Sequence, residues 1–268
     1  MAPIDINNQD INSITLNGST EIDTVTVNGQ EVFSSNILPV AYSNLVAWYP
    51  FDASTYGGSN ADDVTAIIGG SGDDTAYDGS VTSASYQSSN GVTDINAGTN
   101  SGAYDFDGSN DYIIVDNVST TGISQPDRYG QISFGCWISV DSGNYILSSG
   151  SQTGSEGFQM NNAGGTSIRT GNRDFVLNKF WSNTSTYQHV FITWDGNTMR
   201  AYLDGVNVSS TSGELSSQPE KDENLFTIGT PNNSIGNYEF NGRIDDVRIY
   251  NRSLSTSEVN QIYQNTNP

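Results

Sequence analysis

Ile132-Ser133-Phe134-Gly135-Cys136-Trp137-Ile138-Ser139-Val140 alternates without a break. The odd-and-even split sets Ile132, Phe134, Cys136, Ile138 and Val140 on one side. Ser133, Gly135, Trp137 and Ser139 fall on the other, the period-two signature of a half-buried strand. Downstream, Val190, Ile192 and Trp194 repeat the theme. Met199, Ala201 and Leu203 follow before the tight turn at Asp204-Gly205 and the run Val206-Asn207-Val208. Upstream, Leu45–Phe51 is apolar, a strand is expected near Val81–Tyr86, and Ala103–Phe106 and Tyr112–Val115 flank Asp107-Gly108. Phe226–Ile228 and Ile244–Tyr250 close the series. One helix is expected: Ser255-Thr256-Ser257-Glu258 reads as a capping box, with Val259, Ile262 and Tyr263 on one face. Many short strands with turn signals and one short helix predict an all-β, two-sheet antiparallel jelly-roll sandwich.

Composition agrees. The chain has 268 residues, 34% hydrophobic and 15% charged, with 28 glycines, which is one or two domains of strands joined by polar turns. Thirty acidic residues against nine basic ones give a formal charge of −21. Nucleic acid is excluded as a partner, since phosphate binding needs clustered Lys and Arg. Anionic membrane surfaces are disfavoured for the same reason. No apolar run is long enough to insert in a bilayer. An acidic surface with only two lysines, Lys179 and Lys221, suits high salt and predicts a halophilic source. Cys136 and His189 stand alone among their kinds, so no intrachain disulfide exists and any His-dependent triad would need His189. Cys136 lies on the apolar face and is expected as a core residue, and His189 as a hydrogen-bonded structural imidazole.

The first 40 residues differ from the rest. Ile14-Thr15-Leu16-Asn17-Gly18 is echoed by Val25-Thr26-Val27-Asn28-Gly29, and Val25–Val27, Asn28-Gly29 and Gln30–Phe33 predict a hairpin. An isolated hairpin is marginal in water, so residues 1–40 are expected to anchor or assemble the protein and residues 41–268 to form the jelly roll.

Six stretches, taken in order, resemble one family. They are Leu45-Val46-Ala47-Trp48-Tyr49-Pro50-Phe51-Asp52, Ala103-Tyr104-Asp105-Phe106-Asp107-Gly108, Ile132–Trp137, Tyr187-Gln188-His189-Val190 through Trp194-Asp195-Gly196, Tyr202-Leu203-Asp204-Gly205, and Phe240-Asn241-Gly242-Arg243-Ile244-Asp245-Asp246-Val247-Arg248-Ile249-Tyr250-Asn251-Arg252 with Leu254-Ser255. Together, across residues 45–264, they resemble the LamG-like jelly roll of the concanavalin A-like lectin/glucanase superfamily. The resemblance implies one concave and one convex sheet with loops at the rim. It leaves function open, because lectins, glycosidases and structural modules share the fold.

A catalytic dyad of the laminarinase type would need Glu, Asp and a further Glu on one strand. Glu21-Ile22-Asp23 begins such a run, but Val25, Thr26 and Val27 follow. No catalytic residues are expected. Asp105, Asp107, Asp111 and Asp116 do not form a helix-loop-helix calcium loop, since the glycine is misplaced and strands flank it. Many LamG-like modules carry a structural Ca²⁺ joining the first strand region to the last, and Asp52 and Asp245 occupy the matching positions. By alternation Asp245 points with Val247 and Ile249, so its charge must be paired, hydrogen-bonded or metal-bound. The alternative is a carboxylate held by backbone N–H groups or by Arg243 or Arg248. Tyr145, Trp181 and Tyr187, in or near expected loops, are the candidate sugar-stacking residues.

The chain begins without the basic start and apolar stretch of a secretory signal, yet its composition suits an extracellular setting. A virion protein made in the host cytoplasm and released at the virion surface reconciles the two. The expected function is a non-enzymatic virion component (capsid turret, decoration or tail fibre) of a virus with a halophilic host. Its expected partners are other virion proteins through residues 1–40, a second copy of the chain, and a host-surface glycan or glycoprotein. Two alternatives stand beside it: a carbohydrate-binding module of a secreted cellular protein, and a polysaccharide-degrading enzyme.

Overall fold

The computed structural model describes residues 24–27, 30–34, 44–51, 60–61, 78–89, 91–92, 102–115, 130–151, 157–162, 164–170, 173–212, 224–231, 235 and 237–266. β1 (Thr24–Val27) and β2 (Gln30–Ser34) pair antiparallel as the expected hairpin and form a two-stranded sheet of their own.

Two eight-stranded antiparallel sheets make up the body. The first orders β13 (Arg173–Leu177), β12 (Gly165–Thr170), β11 (Gly157–Asn161), β10 (Tyr145–Ser151), β17 (Asn224–Ile228), β8 (Tyr112–Val115), β5 (Gly79–Thr82) and β4 (Asn60–Ala61). The second orders β16 (Val206–Ser212), β15 (Thr198–Leu203), β14 (Gln188–Trp194), β9 (Ile132–Gly143), β18 (Phe240–Tyr250), β7 (Ala103–Asp107) and β6 (Ser85–Gln87). β3 (Leu45–Tyr49) joins it by pairing the far end of β18, whose near end pairs β7. This is the expected jelly-roll sandwich, and the inner faces of both sheets supply one core running from Ala47 to Ile249.

Two sequence expectations are corrected. The strand expected over Val81–Tyr86 is two strands in different sheets, β5 and β6, separated at Ser83. That residue adopts φ +58°, while Ala84 N donates to Thr82 O at 2.7 Å. Polar Ser83 carries the chain across from one sheet to the other. β9 is buried on both faces from Ile132 to Val140, not half-buried. Its second face is covered by α1 (Thr256–Thr266), where Trp137 stacks on Tyr263 and donates Nε1–H to Thr266 Oγ1 at 2.7 Å. Phe191, Tyr202, Tyr250, Leu254, Val259 and Ile262 complete this second, smaller core.

The capping box forms as expected. Ser255 N donates to Glu258 Oε2 at 2.8 Å, and Glu258 N donates to Ser255 Oγ at 3.3 Å. Among the described residues no helix is long and apolar enough to cross a membrane.

Candidate functional site

The strand motif around Asp245 is shaped by one extra residue. Asp245 lies opposite Trp137 and Arg248 opposite Gly135, so Asp246 and Val247 together oppose Cys136 in a β-bulge. Asp246 takes φ +48°, a left-handed conformation that Asp tolerates better than most residues. Strand parity therefore reverses across the bulge: Ile244 pairs with Ile138 and Ile249 with Phe134, and Ile244, Val247 and Ile249 all enter the core. The alternation argument that sends Asp245 to the same side as Val247 and Ile249 fails at this bulge.

Asp245 is fully buried, and both its oxygens accept main-chain bonds: Oδ2 from Val92 N and Oδ1 from Asp246 N, each at 2.7 Å. Arg248 serves Asp246. Its Nε sits 2.9 Å and 3.0 Å from the two Asp246 oxygens, while Trp48 Nε1 donates to Oδ1 at 2.6 Å. Arg243 leans 3.9 Å from Asp105. Tyr187 joins this neighbourhood: burial and then the Asp245 charge push its phenol well above the usual range. Thus two residues expected in different roles, Asp245 and Tyr187, lie within electrostatic reach of each other. Asp52 lies outside the described residues.

Gly102 O and the Asp245 carboxylate both close on Gly91. A Cβ added to Gly91 would lie 1.8 Å from Gly102 O and 2.6 Å from Asp245 Oδ2. One added to Gly102 would lie 2.2 Å from Phe51 O and 2.3 Å from Tyr86 Oη. Only glycine fits either place. A carboxylate with main-chain carbonyls is the hard-oxygen donor set that Ca²⁺ prefers, so these residues fit that ion. Among the described residues no three His, Cys, Asp or Glu side chains gather.

A second constellation lies at the rim. Asn162 ties its loops together. Its Oδ1 accepts from Trp181 Nε1 at 3.1 Å, its Nδ2 donates to Gly143 O at 3.0 Å, and its N donates to Asn144 O at 2.6 Å. Asn144 N in turn donates to Glu239 O at 3.1 Å, and Tyr145 N to Tyr238 O at 3.2 Å. The result fixes the turns after β9 and β11, the 178–187 segment and the loop before β18 as one surface. Tyr238 is 64% exposed there at φ +61°, and half-buried Tyr145 lies beside it. Lys179 Nζ donates to Asn183 Oδ1 and lies 6.0 Å over the Trp181 ring.

Of the three expected stacking residues, Tyr145 is on this rim. Trp181 is only 4% exposed, packed edge-on to Phe180 in the main core, so it builds the rim and offers no open ring face. Tyr187 lies by Asp245. Tyr238 is the rim residue that the sequence reading misses. The signal for it is an aromatic residue directly after the turn dipeptide Gly236-Asn237, within the stretch Ser234-Ile235-Gly236-Asn237-Tyr238-Glu239.

Cys136 is buried in the inter-sheet core, as expected, and burial followed by the charges of Asp246 and Asp245 pushes its thiol far up. His189 lies on the opposite face of its sheet, stacked on Phe191 and beside Trp137 and Tyr263. Among the described residues its Nδ1 has no hydrogen-bond partner, so rings hold the imidazole where a hydrogen bond is expected at that atom. Asp111 accepts from Asp107 N at 2.6 Å and staples the β7–β8 turn.

A family profile described as the concanavalin A-like lectin/glucanases superfamily matches residues 107–260. No curated protein matches the sequence. Among solved structures, domain 4 of AbnA, an extracellular arabinanase from Geobacillus stearothermophilus in complex with arabinotriose, is similar at 18% identity and a TM-score of 0.59. The match covers 82% of this chain and 98% of that one. Trypanosoma rangeli sialidase is similar at 17% identity and TM-score 0.56, covering 84% of this chain and 33% of that one. The receptor-binding domain of a botulinum neurotoxin C/D mosaic serotype shares 16% identity at TM-score 0.57, covering 83% and 51%. This chain therefore spans a whole domain of the first structure and only part of the other two.

Proposed function

This chain belongs to the concanavalin A-like lectin/glucanases superfamily, and from that premise we propose that it is a non-enzymatic adhesion protein whose rim binds a surface glycan. The observation that carries this reading is Tyr238, an exposed ring beside Tyr145 on a rim that Asn162 makes rigid. A flat ring stacks on the apolar face of a sugar, and fixed neighbouring amides and hydroxyls supply orientation. The side-chain amides of Asn144 and Asn183, on the joined segments, suit that role. The arabinanase domain was solved with arabinotriose, which supports an oligosaccharide as ligand class. Several described carboxylates already have structural duties: Asp245 on main-chain amides, Asp246 on Arg248, Asp195 on Arg200 and Glu258 on Arg252. That supports binding without hydrolysis.

The finer reading is a virion component with a halophilic host: a turret, decoration or tail-fibre protein on the virion surface. Its support is the −21 charge and a β1–β2 hairpin that forms its own sheet, a unit that needs further partners to be stable. Other virion proteins and a second copy of the chain are the partners this hairpin would take. A carbohydrate-binding module of a secreted protein is the second reading, favoured by the 98% coverage of the arabinanase domain.

Asp245, with the carbonyl of Gly102, would hold a structural Ca²⁺. The ion would supply positive charge between these oxygens and brace β18 against the chain entering β7.

An array of immobilised glycans, probed with the full chain and with Tyr238→Ala, tests the adhesion reading. Retention by the native chain and its loss in the variant are expected, and no retention by the native chain overturns it. Removal of residues 1–40 should lower the native mass in solution to that of a single chain. An unchanged oligomer would count against the assembly role.

A further inference from the structure

Charge pairing among the cations whose side chains are described singles out one of them. Arg200 pairs with Asp195 at 2.7 Å, Arg243 approaches Asp105, Arg248 pairs with buried Asp246, and Arg252 pairs with Glu258. Lys179 differs. Its ammonium donates to the neutral amide oxygen of Asn183 and faces the Trp181 ring, and no described carboxylate pairs with it. A chain of 30 acidic and nine basic residues offers anions in excess, so a cation left to a neutral amide stands out. Burial lowers its pKa, the direction expected for an ammonium that lacks a compensating anion.

The place matters as much as the charge. Lys179 stands on the 178–187 segment, tied through Trp181 and Asn162 to Gly143 and Asn144, and onward to Tyr145 and Tyr238. We propose that the rim selects an acidic glycan, with Lys179 and Asn183 receiving a sugar carboxylate while the Tyr238 ring carries a neighbouring residue of the same oligosaccharide. This rests on the glycan-binding reading above. Glu239 follows Tyr238, so the acidic end of the ligand is directed away from it, toward Lys179. The interaction is charge-assisted, with Lys179 donating to the carboxylate and the Asn183 amide N–H completing the contact. The Trp181 ring under the ammonium fixes its position without neutralising it.

The test is calorimetric titration of the full chain with a uronic-acid trisaccharide and with the same trisaccharide after reduction of its carboxyls to hydroxymethyl groups. The readout is the ratio of the two affinities for the native chain, Lys179→Met and Lys179→Arg, at low salt and at high salt. Methionine keeps the apolar stem on Trp181, so the variant retains the packing, and an unchanged melting temperature verifies it. A native preference of about tenfold for the acidic form is expected. The ratio should fall to near one in Lys179→Met, recover in Lys179→Arg and shrink in high salt. Equal affinity of the native chain for both sugars overturns the proposal and leaves the glycan reading standing. A preference that survives in Lys179→Met also overturns it. Failure of both sugars to bind removes the glycan reading for this ligand class and the proposal with it.

Discussion

Trp48 and Arg248 face each other across the β3–β18 ladder, and both end on the same carboxylate, Asp246. The guanidinium lies 4.6 Å over the indole ring, so a hydrogen-bonded ion pair and a cation–π contact share one fully buried pocket. The left-handed backbone at Asp246 makes this possible, because the bulge turns the carboxylate onto the side chain two residues ahead.

Removing one partner from that pocket leaves a buried charge. Asp246→Ala should destabilise the chain by about 3–5 kcal/mol, read as a drop in the denaturant midpoint. The double variant Asp246→Ala/Arg248→Met should recover much of the loss, since an apolar filling has no charge to bury. Equal instability of the single and double variants would contradict this account of the pocket.

Glu258 gives the helix a pH signature. The Arg252 hydrogen bond, assisted by Ser255 and opposed by partial burial, holds its carboxyl down at about 2. Its contribution is complete above the unfolded value near 4.5 and is lost as pH falls through about 2. The native chain should therefore lose melting temperature more steeply than Glu258→Gln between those limits. At neutral pH the substitution should cost about 1 kcal/mol or less, because the pair is partly screened by water.

His189 adds a second window at higher pH. Burial, then the Arg248 charge, lowers its imidazole to about 3 from an ordinary 6.5. Between those values the unfolded chain binds a proton that the folded chain does not, so stability falls as pH drops from 6.5 toward 3. His189→Phe, which suits the surrounding rings and removes an Nδ1 with no partner among the described residues, should flatten urea midpoints measured across this range. Identical slopes for both chains would show that the imidazole is not buried in neutral form.

These features are unequally legible in the sequence. β9 is readable because its inward side chains alternate with polar or aromatic ones, and the capping box because Ser255 and Glu258 sit at the required spacing. β10 and β12 are not, since Ser148-Ser149-Gly150-Ser151 and Gly165-Thr166-Ser167 carry few apolar side chains, and their strand state is imposed by neighbours on both sides. Burial of Trp137 depends on a helix whose Thr266 lies 129 residues later, which strand periodicity cannot report. The bulge at Asp246 is also invisible, because a single inserted residue reverses parity without altering the apolar pattern on either side. Tyr145 is legible as a loop-edge aromatic, whereas Tyr238 emerges only from its exposure in the folded chain.

The oxygens of Asp245 and Gly102 predict a response to divalent ions. Addition of Ca²⁺ should raise the melting temperature of the native chain, and a chelator should lower it. Asp245→Asn should abolish the difference between the two conditions. A native melting temperature that ignores both additions would remove Ca²⁺ from this site.

The rim is tested most directly by backbone amide chemical shifts of the isotope-labelled full chain during titration with a glycan retained on the array. Shifts should concentrate at Gly143–Tyr145, Asn161–Gly164, residues 178–187 and residues 237–239, the segments joined through Asn162 and Tyr238. Shifts centred elsewhere, such as on Leu45–Ala47 and the Tyr250 end of β18, would contradict the assignment of the binding surface.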